Sequence, residues 1–148
     1  MIQQVNFFGW ALQIDYQATQ SAYDYLPTNW DCTCSYCRNF RAALPAIPEA
    51  FRTALQDLGI NLLHPAEAIE YPGSTNNLHL YEAWCHAVGH ITTTPSLLLD
   101  TYGRREIVSG VEVRVSDKLA LLPDNFPMPA VQIEFFIFLP WVIDEGYE

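Results

Sequence analysis

Three of the four cysteines in this chain, Cys32, Cys34 and Cys37, fall within one stretch of six residues. The Cys34-x-x-Cys37 spacing is that of half a zinc site, and Cys32 offers a third thiolate. A structural zinc takes four ligands, so the fourth would have to come from the region 79–90. The candidates there are His79, Cys85, His86 and His90, and His86 completes the predicted set.

The same cysteines also fit a thiol redox pair. Cys34 would lie just before a helix, a position at which thiolates are generally favoured, and Cys37 would be the resolving thiol. The stretch TTTPSLLLDTYGR (92–104) resembles the threonine-proline strand of thioredoxin-like proteins. That resemblance implies that Pro95 lies beside the dithiol. A third interpretation is that the cysteines only pack, as small apolar side chains.

The charge balance narrows the class of partner. Seventeen acidic residues stand against seven basic ones, which gives a formal net charge of −10. Nucleic-acid binding needs a basic surface, so we expect no nucleic-acid partner and allow for a basic protein partner.

No apolar run reaches the roughly 18 residues of a membrane span, and the first residues lack the features of a signal peptide. We therefore expect a cytoplasmic protein with no membrane partner.

Aromatic residues make up 14% of the chain, and several fall in a polar stretch before the cysteines. Tyrosine and tryptophan are frequent in the cores of interfaces because they combine a large apolar area with a polar tip. The stretch therefore predicts a protein-binding loop with Tyr23, Tyr25 and Trp30 as contact residues. The alternative is that these rings cover the protein's own sheet or helices.

The periodicity predicts an α+β fold, a single antiparallel β-sheet with two consecutive helices, at about 36–44 and 48–58, packed on one face. The whole chain, residues 1–148, is expected to form one domain. Residues 18–33 are predicted to be a loop. The predicted strands, most of them rich in β-branched and aromatic residues, are 5–17, 78–92, 97–100, 111–115 and 131–143.

Three blocks of the sequence carry a family resemblance: WDCTCSYCRNFRAAL (30–44), LHLYEAWCHAVGHI (78–91) and IEFFIFLPWV (133–142). Together they resemble a group of small bacterial proteins with a Cys-x-Cys-x-x-Cys-x-Asn-Phe block and a Leu-Pro-Trp-Val ending. No activity is established for that group. The resemblance implies that the cysteine block and the region of His86 belong to one fold, and it implies no function.

Three hypotheses about function remain. The first is a non-catalytic protein-binding module, such as an antagonist of a basic partner. The second is a zinc-stabilised domain that uses Cys32, Cys34 and Cys37. The third is a thiol oxidoreductase that uses Cys34 and Cys37. No motif of enzyme chemistry is found beyond the thiols, so we predict no other catalytic residue.

Overall fold

The computed structural model describes residues 2–25, 32–75, 77–108 and 110–144, with only the backbone for 72–75. Within these ranges the chain forms seven strands and three α-helices. The strands are β1 (Ile2–Phe7), β2 (Trp10–Asp15), β3 (Glu67–Thr75), β4 (Leu78–Thr93), β5 (Arg105–Val108), β6 (Val111–Ser116) and β7 (Ala130–Pro140). The helices are α1 (Tyr16–Tyr25), α2 (Ser35–Ala42) and α3 (Glu49–Gln56). No helix in these ranges is both long and apolar enough to cross a membrane.

The strands form one antiparallel sheet in the order β1-β2-β4-β7-β6-β5. The sixteen-residue strand β4 is its centre, and β7 pairs along one edge of it. The other edge is shared, since β3 pairs with residues 78–84 and β2 pairs with residues 89–93. This architecture confirms the predicted α+β class and the antiparallel sheet.

Helix α1 fills the gap that β2 and β3 leave on the edge of β4. The Tyr23 hydroxyl donates to the carbonyl oxygen of His86 (2.8 Å) and accepts from its backbone N–H (3.1 Å). The Thr19 hydroxyl accepts from the Val88 N–H at 2.8 Å. Buried backbone groups are costly when they lack partners, so two side-chain hydroxyls replace the missing strand at this point.

The core lies between the sheet and the helices α2 and α3. Phe40 of α2 contacts Tyr81 of β4, with ring centroids 5.5 Å apart, and Phe51 of α3 contacts Phe135 of β7 at 5.0 Å. All four side chains are buried in one hydrophobic cluster. Both predicted helices therefore exist, within one to two residues of their predicted ends, and they pack against the same face of the sheet.

The predicted strand 5–17 is wrong as a single element, because it is a hairpin of β1 and β2. The chain turns at Phe8 (φ 50°) and Gly9 (φ 99°), and Phe7 pairs with Trp10. Two residues at positive φ make a tight turn of the kind that Asn-Gly usually forms. The side chain of Asn6 stabilises it by accepting from the Gly9 N–H at 2.9 Å.

The predicted loop 18–33 is also wrong over its first part, which is the C-terminal portion of α1. Asp15 caps this helix, since its carboxylate accepts from the Ala18 N–H at 3.0 Å. Only small or polar side chains, Thr19 and Ala22, are fully buried on it. A helix that contacts the sheet through hydroxyl groups lacks the wide apolar stripe by which amphipathic helices are recognised.

The predicted strand 97–100 is a 3-10 turn, Ser96–Leu98, rather than a strand. The Leu97 side chain is almost fully exposed, so its hydrophobicity does not report burial in a sheet. Asp100 instead organises the following turn, because its carboxylate accepts from the backbone N–H groups of Tyr102 (2.8 Å) and Arg104 (2.9 Å).

The bridge between α1 and β4 gives a testable prediction for Tyr23→Phe. The substitution keeps the ring but leaves the backbone N–H and C=O of His86 without their partner. We expect the free energy of unfolding, measured by urea titration, to fall by about 1–3 kcal/mol. Tyr25→Phe is the matched control, since Tyr25 is 82% exposed. Equal stability of the two variants would contradict this role of α1.

Candidate metal centre

The three clustered cysteines come together at the start of α2. The Sγ atoms of Cys32, Cys34 and Cys37 all lie within 4.8 Å of one another, and those of Cys32 and Cys34 are 3.2 Å apart. Sulfur atoms around a tetrahedral zinc, at Zn–S of about 2.3 Å, are separated by about 3.8 Å. Small side-chain adjustments would therefore let one ion contact all three thiolates.

The local backbone explains why the cysteines converge. Cys34 is the N-cap residue of α2, and Cys37 lies in the first turn of the same helix. Cys32 precedes them on a segment that two arginines of α2 hold in place. The Arg41 guanidinium donates to the carbonyl oxygen of Cys32 at 2.9 Å, and that of Arg38 donates to the carbonyl oxygen of Thr33. The segment thus folds back over the start of the helix.

The helix itself is fixed to the sheet by buried polar contacts. The Asn39 side chain donates to the carbonyl oxygen of Pro140 (3.1 Å) and accepts from the N–H of Val142 (2.7 Å). The Tyr81 hydroxyl of β4 donates to the carbonyl oxygen of Tyr36 at 2.7 Å. Asn39 is completely buried, so these bonds stabilise the position of α2 where water cannot compete.

The thiols of Cys32 and Cys37 differ in how easily they lose a proton. A hydrogen bond from the backbone N–H of Cys34 and contacts with the Cys37 and Cys34 thiols hold the pKa of Cys32 below its ordinary value. Burial raises the pKa of Cys37 well above its ordinary value. The Cys32 thiol therefore loses its proton more readily than the Cys37 thiol, and a bound cation would be needed to deprotonate Cys37 near neutral pH.

No fourth histidine, cysteine or carboxylate joins the three sulfur atoms among the residues that the structure describes. The predicted fourth ligand His86 lies elsewhere, with its Nε2 atom 3.0 Å from the Gln132 side-chain oxygen. Cys85 lies on the adjacent position of β4, is fully buried, and has a pKa that burial raises to about 12. The Nδ1 atom of His79 contacts the Glu70 carboxylate at 3.0 Å.

The structure does not bring Pro95 to the cysteines. Pro95 follows β4 at its C-terminal end and lies close to Gly9 in the β1–β2 turn. The cysteine cluster lies near Tyr81, in the N-terminal half of the same strand. More than ten residues of extended chain separate the two places, at about 3.3 Å each. The arrangement implied by the thioredoxin-like resemblance is therefore not present around Cys34 and Cys37.

The predicted contact residues divide into three cases. Tyr23 bridges α1 to β4 and serves the fold. Tyr25 is 82% exposed at the end of α1, so its ring is accessible to a partner. Trp30 lies outside the described residues.

Sequence reasoning placed Phe40 on the apolar face of a helix but overlooked the polar residues that position the cluster. Asn39, Phe40 and Tyr81 hold α2 on the sheet, and Arg38 and Arg41 hold the segment that carries Cys32. The signal that could have found Asn39 is its place beside Phe40 at the end of the cysteine block. An asparagine beside a phenylalanine on the buried side of a helix indicates a satisfied polar contact in a core.

The buried His86 gives a prediction for pH dependence. Burial lowers the pKa of His86 below its ordinary value of 6.5, so the unfolded chain takes up a proton more readily than the folded chain. The associated stability is complete above pH 6.5 and is lost as the pH falls below it. We expect the unfolding free energy to fall less steeply with decreasing pH below 6.5 in His86→Gln than in the parent protein.

The exposed His90 provides the control for that measurement, because His90→Gln removes a histidine that is solvated in both states. Urea titrations at several pH values below 7 should show the parent slope in His90→Gln. If the unfolding free energy of His86→Gln depends on pH as steeply as that of the parent protein, His86 is not the source of the loss of stability in acid.

Comparison of the chain with protein-family models, with curated proteins and with solved structures found no match. The resemblance to small bacterial proteins therefore stays a prediction. The geometry of the described residues is what supports a function for this fold: a single antiparallel sheet with three cysteine thiols gathered at the start of a helix that is fixed to it.

Proposed function

We propose that this chain is a zinc-binding domain in which the thiolates of Cys32, Cys34 and Cys37 hold the ion. The observation that carries the proposal is the approach of the three Sγ atoms to within 4.8 Å of one another. Cysteines that pack only as apolar side chains do not require their sulfur atoms to lie together. The binding of one soft divalent ion by several thiolates does require this.

The charges around the cluster support a dication. Three thiolates and Zn²⁺ leave a net charge of −1, and the guanidinium groups of Arg38 and Arg41 are bonded to the backbone of residues 32 and 33. Positive side chains next to cysteines favour their thiolate forms. The two guanidinium groups can therefore offset the net negative charge of a cluster of three thiolates with bound zinc.

A ligand other than the three cysteines would occupy the fourth coordination position of the zinc ion. Water is the simplest such ligand, as in zinc sites with three protein ligands. The partly buried positions of Cys32 and Cys34 leave this side accessible to solvent. The ion would join the segment before α2 to the first turn of that helix, so part of its binding energy would appear as folding energy.

The first experiment measures bound metal and stability together. Protein purified without a histidine tag is analysed for zinc, and its thermal unfolding is followed with and without EDTA. We expect about one zinc per chain and a clear fall in the unfolding temperature on chelation. Cys37→Ser should lose the metal, because Cys37 contributes the ligand that is fixed on the helix.

The fourth cysteine offers the matched control. Cys85→Ala removes a buried cysteine that lies outside the cluster, so this variant should retain the metal even where its stability is reduced. Alkylation adds a second measurement, since zinc should protect Cys32 and Cys34 while burial protects Cys85 with or without metal. The proposal is wrong if the parent protein binds no zinc, or if Cys37→Ser binds as much zinc as Cys85→Ala.

Thiol–disulfide exchange is the second candidate, and the 3.2 Å contact between the Sγ atoms of Cys32 and Cys34 favours it. The Cys32 thiolate would attack a disulfide substrate, form a mixed disulfide and release one substrate thiolate. Cys34 would then attack Cys32, release the second substrate thiol and leave a Cys32–Cys34 disulfide. Two electrons pass from the protein to the substrate. Metal-free protein that reduces a model disulfide with a Cys34-dependent rate would support this function over zinc binding.

A further inference from the structure

The sheet face opposite α2 and α3 is covered at one end and open at the other. At one end, Leu119, Leu122 and Phe126, from the connection between β6 and β7, pack against Val88 and Ala130. The Trp84 indole donates to the carbonyl oxygen of Ala120 at 3.0 Å and marks the limit of this cover.

Beyond Trp84 the same face is open and mostly apolar, although the Glu82 carboxylate lies between Ile69 and Phe136 and accepts from the Tyr71 hydroxyl. It comprises six side chains on β3, β4 and β7, which we call the open face: Ile69, Tyr71, Leu78, Leu80, Phe136 and Phe138. Phe138 is 52% exposed, and the others are partly or largely accessible. A groove of about 260 Å³ runs between Phe136, Phe138 and the strands β5 and β6. Exposed apolar side chains grouped in this way mark an interaction site.

Two carboxylates border this groove without a cationic partner. Glu106 of β5 and Glu112 of β6 face each other across the strand pair, and neither forms an ion pair with a described residue. Two arginines lie nearby, and one of them, Arg104, also lines the groove. The Arg114 guanidinium is paired with Glu134, and that of Arg104 lies 3.9 Å from the centre of the Phe136 ring.

We propose that the open face binds a basic segment of a partner protein, one that alternates or intersperses apolar side chains with lysine or arginine. The apolar side chains would occupy the groove beside Phe136 and Phe138. The cationic ones would meet Glu106 and Glu112, which supply the charge complementarity that selects a partner.

The charge of the whole chain argues for a different protein rather than for a second copy. Two copies face to face would each carry a formal net charge of −10 and would bring the carboxylates of both grooves together. Like charges across an interface are destabilising. A basic partner is instead attracted by the net negative charge of the chain as it approaches. This proposal is independent of the zinc site, which lies on the other side of the sheet.

The test uses a short fluorescent peptide of alternating lysine and leucine, with an alternating glutamate–leucine peptide for comparison. Binding to the full chain is measured by fluorescence anisotropy at physiological salt. We expect the basic peptide to bind and the acidic one not to bind. Glu106→Lys/Glu112→Lys should weaken the binding by about tenfold or more, because it reverses both charges beside the groove. Phe138→Ser should weaken it through loss of the apolar contact.

Asp24→Lys/Asp144→Lys is the matched control, since it makes the same change of net charge at two exposed positions that belong neither to the open face nor to its groove. Circular dichroism of each variant verifies its folding. Unchanged binding in this control, together with the loss in Glu106→Lys/Glu112→Lys, would support the proposal. An equal loss in both double variants, no binding to the parent chain, or a dimer of the parent that Phe138→Ser dissociates would overturn it.

Discussion

The unequal edges of β4 determine much of this fold. Along one edge β7 pairs almost continuously, whereas on the other β3 and β2 each take one end and leave the backbone of residues 85–88 between them. Buried peptide groups in that gap need partners, and α1 supplies them through the hydroxyls of Tyr23 and Thr19. The helix must therefore pass close to the sheet edge immediately after the β1–β2 hairpin. Gly89 marks the end of the gap, where a Cβ would lie 2.0 Å from the carbonyl oxygen of Gln13 in β2.

The other half of β4 positions the cysteines. Tyr81 and Asn39 connect α2 to the sheet and to the end of β7, so the start of that helix has a fixed place in the molecule. The Arg41 guanidinium then directs the preceding segment back over the first turn. Three thiols meet because this turn is held on one side by a buried amide and on the other by a guanidinium. A metal site built on such a support needs little reorganisation to bind its ion.

Much of this organisation can be predicted from the sequence, and the exceptions have physical reasons. The three- and four-residue spacing around Phe40 and Phe51 predicts α2 and α3, because both helices bury a wide apolar stripe. Helix α1 is not predicted, because it contacts β4 through hydroxyl groups and has no wide apolar stripe. The cysteine spacing predicts that the thiols converge, since Cys34 and Cys37 share the first turn of α2. It cannot predict the place of His86, because β4 is buried on both faces near this residue and periodicity does not say which face meets the cysteines.

The central claim is that Cys32, Cys34 and Cys37 bind one metal ion through sulfur. X-ray absorption spectroscopy at the zinc edge tests it most directly on protein loaded with one equivalent of zinc. The account predicts three sulfur neighbours at about 2.3 Å and one lighter neighbour, oxygen or nitrogen, at about 2.0–2.2 Å. A first shell made only of oxygen and nitrogen would contradict the claim, because it would place the ion away from the three thiols.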